Sequence, residues 1–160
     1  MTTSKVYLAL GTNLGDRPGN LRAALTILPP HVTILKKSAV YETQPWGVTD
    51  QPAFLNMVLK GKTRMTPLEL LHYLKDLETR LGRHPSIRYG PRNIDIDILF
   101  YDEIIFHSPE LTIPHPNLHE RAFVLVPLAD LAAKFVHPGI GKTVRQLLAQ
   151  VDTTGVKRYG

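Results

Sequence analysis

The sequence predicts an α+β fold, a ferredoxin-like antiparallel sheet flanked by helices in a three-layer α/β/α sandwich. Two observations predict it. The hydrophobic period alternates between strand and helix spacing in the order β-α-β-β-α-β, with further helical segments after it. The chain of 160 residues, 43% hydrophobic and 21% charged, also carries no internal repeat, low-complexity segment or long linker. Residues 1–160 are therefore expected to form a single domain with its own core.

Lys5 to Leu10 is β-rich and ends at Gly11, a strand followed by a turn. Asp16, Arg17 and Pro18 open a helix in which Leu21, Ala24, Leu25 and Leu28 recur at helical spacing, and Pro29-Pro30 stops it. Val32 to Tyr41 reads as one long strand and Phe54 to Lys62 as another, separated by the loop TQPWGVTDQP. Thr66 followed by Pro67 is a cap and first-turn pair for a second helix. Leu70, Leu71, Leu74, Leu77 and Leu81 form its apolar stripe, and Gly82 ends it. A strand from Asn93 to Tyr101 follows. The last third holds a Pro-rich loop at IPHPNLHE, an apolar helix from Arg121 to Leu131 and a short helix near Thr143 to Gln150.

With no cysteine, disulfides and thiolate metal sites are excluded. No charged-then-apolar leader is visible and no apolar run approaches the ~20 residues of a membrane span, so a cytoplasmic protein is expected, without a membrane partner. No exposed apolar stripe is evident, and a monomer is expected. The net charge of +5 suits anionic ligands, and its distribution is more informative than its size. Between Arg80 and Arg92 lie four arginines (Arg80, Arg83, Arg88 and Arg92) and His84 without one acid, and then the strand brings two aspartates.

On that strand, alternation sends Ile94, Ile96, Ile98 and Phe100 to one face and Asp95 and Asp97 to the other, where Leu99 and Tyr101 follow. The two aspartate Cα atoms are roughly 6.5–7 Å apart. A polar outer face is the plainer reading. Like charges so close disfavour each other unless a cation intervenes, however, and paired carboxylates are ligands that Mg²⁺ prefers. Mg²⁺ on two carboxylates keeps positions for substrate phosphates, and nearby arginines supply planar donors for them. A polyphosphate site is the expectation. The chain has no GxxxxGK[ST] loop and no protein-kinase signature. A nucleic-acid-binding module would fit the charge, but the RNP-type aromatic motif is missing, and aspartates would repel a phosphate backbone. A metal-dependent nuclease is the other alternative.

Several ordered segments then carry a resemblance: YLALGTNLGDR (7–17), AVYETQPWG, DQPAFLN (50–56), LGR (81–83), RYGPRNIDIDIL and LTIPHPNLHERAFVL. Together they resemble the 6-hydroxymethyl-7,8-dihydropterin pyrophosphokinase family, which transfers pyrophosphate from ATP to a pterin alcohol in folate synthesis. The resemblance implies that Asp95 and Asp97 hold two Mg²⁺ ions, with Arg83 and Arg92 as further catalytic residues. It implies that Arg83, Arg88, Arg92, His115 and Arg121 surround the ATP phosphates, with Glu78 and Tyr89 lining the nucleotide site. It assigns Gly11, Thr43, Pro45, Trp46, Phe54, Asn56, Asp95 and Phe123 to the pterin pocket. ATP and 6-hydroxymethyl-7,8-dihydropterin are the implied ligands, and no nucleic acid is expected.

Physical chemistry is compatible with the pterin residues. Phe54 and Asn56 share a strand face, giving an apolar wall and an amide for a heterocycle edge, although the residues alone read more simply as a core Phe54 and a polar Asn56 near a turn. In HPNLH the histidines are four apart, but Pro116 opposes a regular helix and the HExxH glutamate is missing, so no zinc site is expected. His119 is read as structural or surface, and His31, His72, His107 and His137 receive no role. Two departures from the family pattern stand out: His84-Pro85 where a second loop arginine is common, and Gln44 where a proline is frequent.

Overall fold

The computed structural model describes residues 2–44, 52–82 and 93–160. Eight strands and four α-helices are present among them: β1 (Ser4–Thr12), α1 (Arg17–Ile27), β2 (Val32–Lys37), β3 (Tyr41–Thr43), β4 (Phe54–Thr63), α2 (Pro67–Arg80), β5 (Asp95–Tyr101), β6 (Phe106–His107), β7 (Thr112–Ile113), α3 (Ala122–Ala132), α4 (Val144–Leu148) and β8 (Val156–Arg158). The main sheet runs β5-β1-β4-β3-β8, with β2 also on β4 and every pairing antiparallel. Counting β2 and β3 as one broken strand, this is the expected ferredoxin-like order.

Helix starts follow their caps. Asp16 accepts the Gly19 amide at 3.1 Å ahead of α1. Thr66 and Glu69 form a reciprocal capping box at α2, with Pro67 in its first turn. Thr143 and Gln146 repeat the device at α4. Gly82 ends α2 with φ +95°, a left-handed conformation that a Cβ would strain.

The sheet divides two cores. On one face Val6, Leu8, Leu10, Leu55, Met57, Ile94, Ile96 and Ile98 pack against Leu21 and Ala24 of α1 and Leu70, Leu74 and Leu77 of α2. On the other Tyr7, Val58, Leu99 and Phe100 pack against Val124, Leu125 and Leu128 of α3 and Val144 and Leu147 of α4. The result is the three-layer arrangement that the sequence predicts.

Two details differ from the sequence reading. Val32 to Tyr41 is not one strand but two, because Ser38 replaces part of the ladder. Its amide donates to the Val58 carbonyl at 2.8 Å while its Oγ, not a backbone carbonyl, accepts the Val58 amide at 2.9 Å. Asp130 of α3 fixes the break, accepting from the Ala39 amide and the Tyr41 hydroxyl. The second difference is a bulge in β5. The register against β1 shifts between Leu8↔Ile98 and Tyr7↔Phe100, which leaves Leu99 as an extra residue. Phe100 therefore does not continue the isoleucine face. It joins Leu99 in the α3 layer, edge-on to Tyr7 with centroids 6.0 Å apart, and Tyr101 crosses to the α2 layer to donate to the Met65 carbonyl.

No helix among the described residues is long and apolar enough to cross a membrane.

Candidate functional site

The polar residues converge where β1 ends and β4 and β5 begin. Asp95 of β5, Gly11 of β1, Asn56 of β4 and Tyr41 of β3 are directly opposite one another in register, one row across the sheet. Directly opposed antiparallel residues share a face, so Asp95 and Asn56 flank Gly11 on the side that also carries α3. Asp97 lies one alternation further along β5, opposite Ala9, and both aspartates are half-buried. This bears out the alternation that separates them from Ile94, Ile96 and Ile98.

Gly11 is small for a reason. A Cβ there would stand 2.9 Å from Asn56 Oδ1, closer than side chains tolerate. Asn56 is almost closed over, 9% exposed, and its Nδ2 reaches Thr43 Oγ1 at 3.4 Å. Thr43 is in turn directly opposite Phe54. The fold thus gathers Gly11, Thr43, Phe54 and Asn56 around one buried amide. That amide has two hydrogens and two acceptor directions, more than the Thr43 bond uses.

Behind the row, β5 is braced from the other layer. Glu78 is 1% exposed, and its Oε2 accepts the Ile96 amide at 2.7 Å. The resemblance puts Glu78 at the nucleotide site; the role visible in the fold is to fix the strand that bears the aspartates. Asn93 adds a second brace, since its Nδ2 donates to the carbonyls of Leu81 and Gly82 at 3.3 and 3.2 Å. It joins the end of α2 to the approach of β5. Asn93, read from sequence as the first residue of the strand, instead lies just ahead of β5, and no local pattern announces its tie to Gly82. Arg80 is occupied on the helix surface, 2.8 Å from Asp76 one turn earlier.

His115, Arg121 and Phe123 lie on the α3 side. The His115 amide donates to the carbonyl of Leu99, two residues beyond Asp97, at 3.0 Å. Its Nδ1 accepts the Asn117 amide at 3.2 Å, so the neutral ring carries its proton on Nε2. Arg121 stacks its guanidinium over the Phe123 ring at 5.7 Å. Burial, and then the Arg121 charge, pushes the His115 pKa down to about 4. At neutral pH His115 is accordingly an uncharged donor. His119 is beside Glu120 at 3.5 Å. His137, given no role from sequence, is buried and caps the turn after it, its Nδ1 accepting the Gly139 and Ile140 amides at 3.0 Å each.

The depressed His115 pKa has a stability consequence. Between pH 6.5 and about 4 the unfolded chain binds a proton that the folded chain refuses, so stability present above pH 6.5 declines as pH falls toward 4. The melting temperature is expected to drop across that window and to drop less steeply in His115→Gln. Equal slopes for the two proteins would contradict the assignment. His137, shifted down chiefly by burial, contributes in the same direction.

Arg83, Arg88, Tyr89, Arg92, Pro45 and Trp46, together with His84 and Pro85, lie outside the described residues. Among those described, no cluster of three or more metal-ligating side chains occurs, and the paired carboxylates on β5 are Asp95 and Asp97. Two carboxylates on one half-buried strand face, both hard oxygen ligands, fit a magnesium ion that keeps open positions. Two clefts of about 230 and 210 Å³ lie elsewhere. The first is lined by Lys5, Tyr7, Lys60 and Phe135 toward the far end of the sheet. The second is lined by Leu21, Leu25, Leu55 and Met57 in the other layer.

Fold and site together define a ferredoxin-like α+β protein with its acidic and amide side chains gathered at one end of the sheet. The family model described as 7,8-dihydro-6-hydroxymethylpterin-pyrophosphokinase matches residues 7–133. The chain belongs to that family. It is 43% identical over 157 residues to the 2-amino-4-hydroxy-6-hydroxymethyldihydropteridine pyrophosphokinase of Methylorubrum extorquens, covering 97% of this chain and 98% of that one. The protein of the same name from Bacillus subtilis is 46% identical over 127 residues, 78% of this chain and 76% of the relative. The mitochondrial folate synthesis bifunctional protein of Arabidopsis thaliana is 47% identical over 136 residues, and the match covers 84% of this chain but only 24% of that longer protein. Among solved structures, Plasmodium falciparum HPPK-DHPS with pteroate superposes with a TM-score of 0.78 over 93% of this chain and 42% of that one. At 19% identity the superposition shows the shared fold.

Proposed function

We propose that the chain carries out its family's reaction, pyrophosphate transfer to hydroxymethyldihydropterin in folate synthesis, as a Mg²⁺-dependent ATP:6-hydroxymethyl-7,8-dihydropterin diphosphotransferase. The observation that carries this reading is the row Asp95–Gly11–Asn56, which sets a carboxylate beside a buried amide across a strand position that carries no side chain. The pterin edge pairs with Asn56, and Phe54 supplies an apolar wall beside Thr43. The hydroxymethyl oxygen then attacks the β-phosphorus of ATP, the bond from that phosphorus to the α-phosphate oxygen breaks, and AMP leaves.

Asp95 and Asp97 would hold two Mg²⁺ ions, which when bound neutralise phosphate charge and lower the pKa of the attacking hydroxyl. Arg121 offers a permanent cation to the phosphates, and neutral His115 offers its Nε2–H without adding charge. Arg83, Arg88 and Arg92 are the further donors of the reading, with Arg83 and Arg92 catalytic, and Tyr89 beside the nucleotide; Pro45, Trp46 and Phe123 complete the pterin pocket. Positioning and electrostatics supply most of the acceleration, as in phosphoryl transfer generally. The same reading makes the protein a cytoplasmic monomer that engages neither nucleic acid nor membrane.

The nucleotide product tests it. With Mg²⁺, ATP and hydroxymethyldihydropterin all present, anion exchange should show AMP formed in step with a pterin diphosphate. ADP as the main product, or AMP at the same rate without pterin, would contradict the reading.

A further inference from the structure

Arg17 sits where a helix has no use for it. It is the first residue of α1, at the positive end of the helix dipole, and Asp16 already provides the cap. Its side chain is only 22% exposed and is turned toward the sheet. A single nitrogen, Nη1, donates to Glu42 Oε2 at 2.7 Å and to the Ala53 carbonyl at 2.8 Å. Glu42 immediately precedes Thr43, and Ala53 immediately precedes Phe54. One guanidinium therefore ties β3 to the start of β4 at the residues adjoining the opposed pair Thr43 and Phe54.

The C-terminal segment backs the clamp. The Tyr159 ring lies under the Arg17 guanidinium at 5.7 Å, and the Tyr159 amide donates to the Val40 carbonyl at 2.9 Å. In β8, Val156 and Lys157 are opposite Thr43 and Glu42. Asn13 adds a parallel tie, its Nδ2 donating to the Pro52 carbonyl at 3.2 Å. Glu42 is itself opposite Leu55, whose side chain belongs to the α1–α2 layer. The clamp thus occupies the sheet face away from the side chains of Thr43 and Asn56, and Arg17 has no access to a ligand lying over them.

We infer that Arg17 is a positioning residue for the pterin side of the site, setting the separation of Thr43, Phe54 and Asn56 through Glu42 and the Ala53 carbonyl. This rests on the pyrophosphokinase reading above. A charge-assisted bond to Glu42 holds that spacing, and the nucleotide side on β5 and α3 does not depend on it.

The test measures dissociation constants, KM for each substrate, kcat and melting temperature in Arg17→Met and Glu42→Gln. In Arg17→Met, KM and Kd for the pterin are expected to rise about tenfold or more. The ATP constants and kcat should stay within about twofold, well under that threshold. Glu42→Gln keeps the shape without the charge and should shift the pterin constants in the same direction by less. Equal shifts for pterin and ATP, or a lower melting temperature with unchanged pterin constants, would overturn the positioning role. Should Arg17→Met fail to fold, Glu42→Gln alone decides by the same comparison. A wild-type protein that releases no AMP would instead overturn the pyrophosphokinase reading on which the inference rests.

Discussion

Asp97→Ala and Asp95→Ala are each expected to lower turnover by on the order of a thousandfold, about 4 kcal/mol of transition-state stabilisation. Both proteins should keep their fold. The packing of β5 is carried by Ile94, Ile96 and Ile98 on the opposite face, each no more than 4% exposed, by Leu99 at the bulge and by Phe100 beyond it. The strand is further fixed by the bond from the Ile96 amide to Glu78, which neither substitution touches. Steady-state rates with pterin and ATP, read beside circular dichroism, separate the two effects. Full activity in Asp97→Ala would remove the carboxylate pair from the mechanism, and a collapse of the fold would mean that the pair is structural. Raising Mg²⁺ should recover part of the rate in either single variant, because each retains one carboxylate.

The elements with strong periodicity were legible from the residues alone. Alternation in NIDIDIL separated three isoleucines from two aspartates, and the helix start at Asp16, the cap at Thr66 and the short helix near Thr143 are all kept by the structure. What escaped has no local signature. β3 and β8 are three residues each, too short for a period, and form only because distant chain supplies a partner. The bulge at Leu99 is a matter of pairing with β1, so Phe100 and Tyr101 changed sides unseen. The break at Ser38 depends on one hydroxyl standing in for a carbonyl.

The candidate site divides in the same way. Asp95, Asp97, Gly11, Thr43, Phe54 and Asn56 were named from sequence with the help of the family pattern, and the row that sets Asp95, Gly11 and Asn56 opposite one another is a property of three-strand register that no single segment encodes. Glu78 shows what a closer reading could have caught. It follows Leu70, Leu74 and Leu77 on the buried stripe of α2, and a carboxylate at such a position needs a buried donor. One such donor is the Ile96 amide, so the residue links the helix to the aspartate strand. Arg17 was read only as part of a helix start and a motif, and its bond to Glu42 spans 25 residues.

Gly11→Ala should reveal how tightly the pterin side is built. The new methyl would be 2.9 Å from Asn56 Oδ1, with the Leu55 carbonyl next at 3.9 Å, so the Asn56 amide has to give way. It has little room, being 9% exposed and bonded to Thr43. Overpacking of this kind costs about 1–3 kcal/mol in stability. The pterin KM should rise by roughly ten- to a hundredfold, about 1.4–2.8 kcal/mol, because the amide no longer presents its edge in the row. Asn56→Ala should weaken pterin binding comparably by removing the amide outright. The double variant distinguishes a clash from two separate losses. If Gly11 acts by keeping space for Asn56, the second substitution relieves the first, and the combined loss should fall short of the sum by more than about 0.5 kcal/mol, the usual scatter for independent sites. Additive losses would show that Gly11 matters to the ligand directly, with its backbone, and not through the amide across the strand.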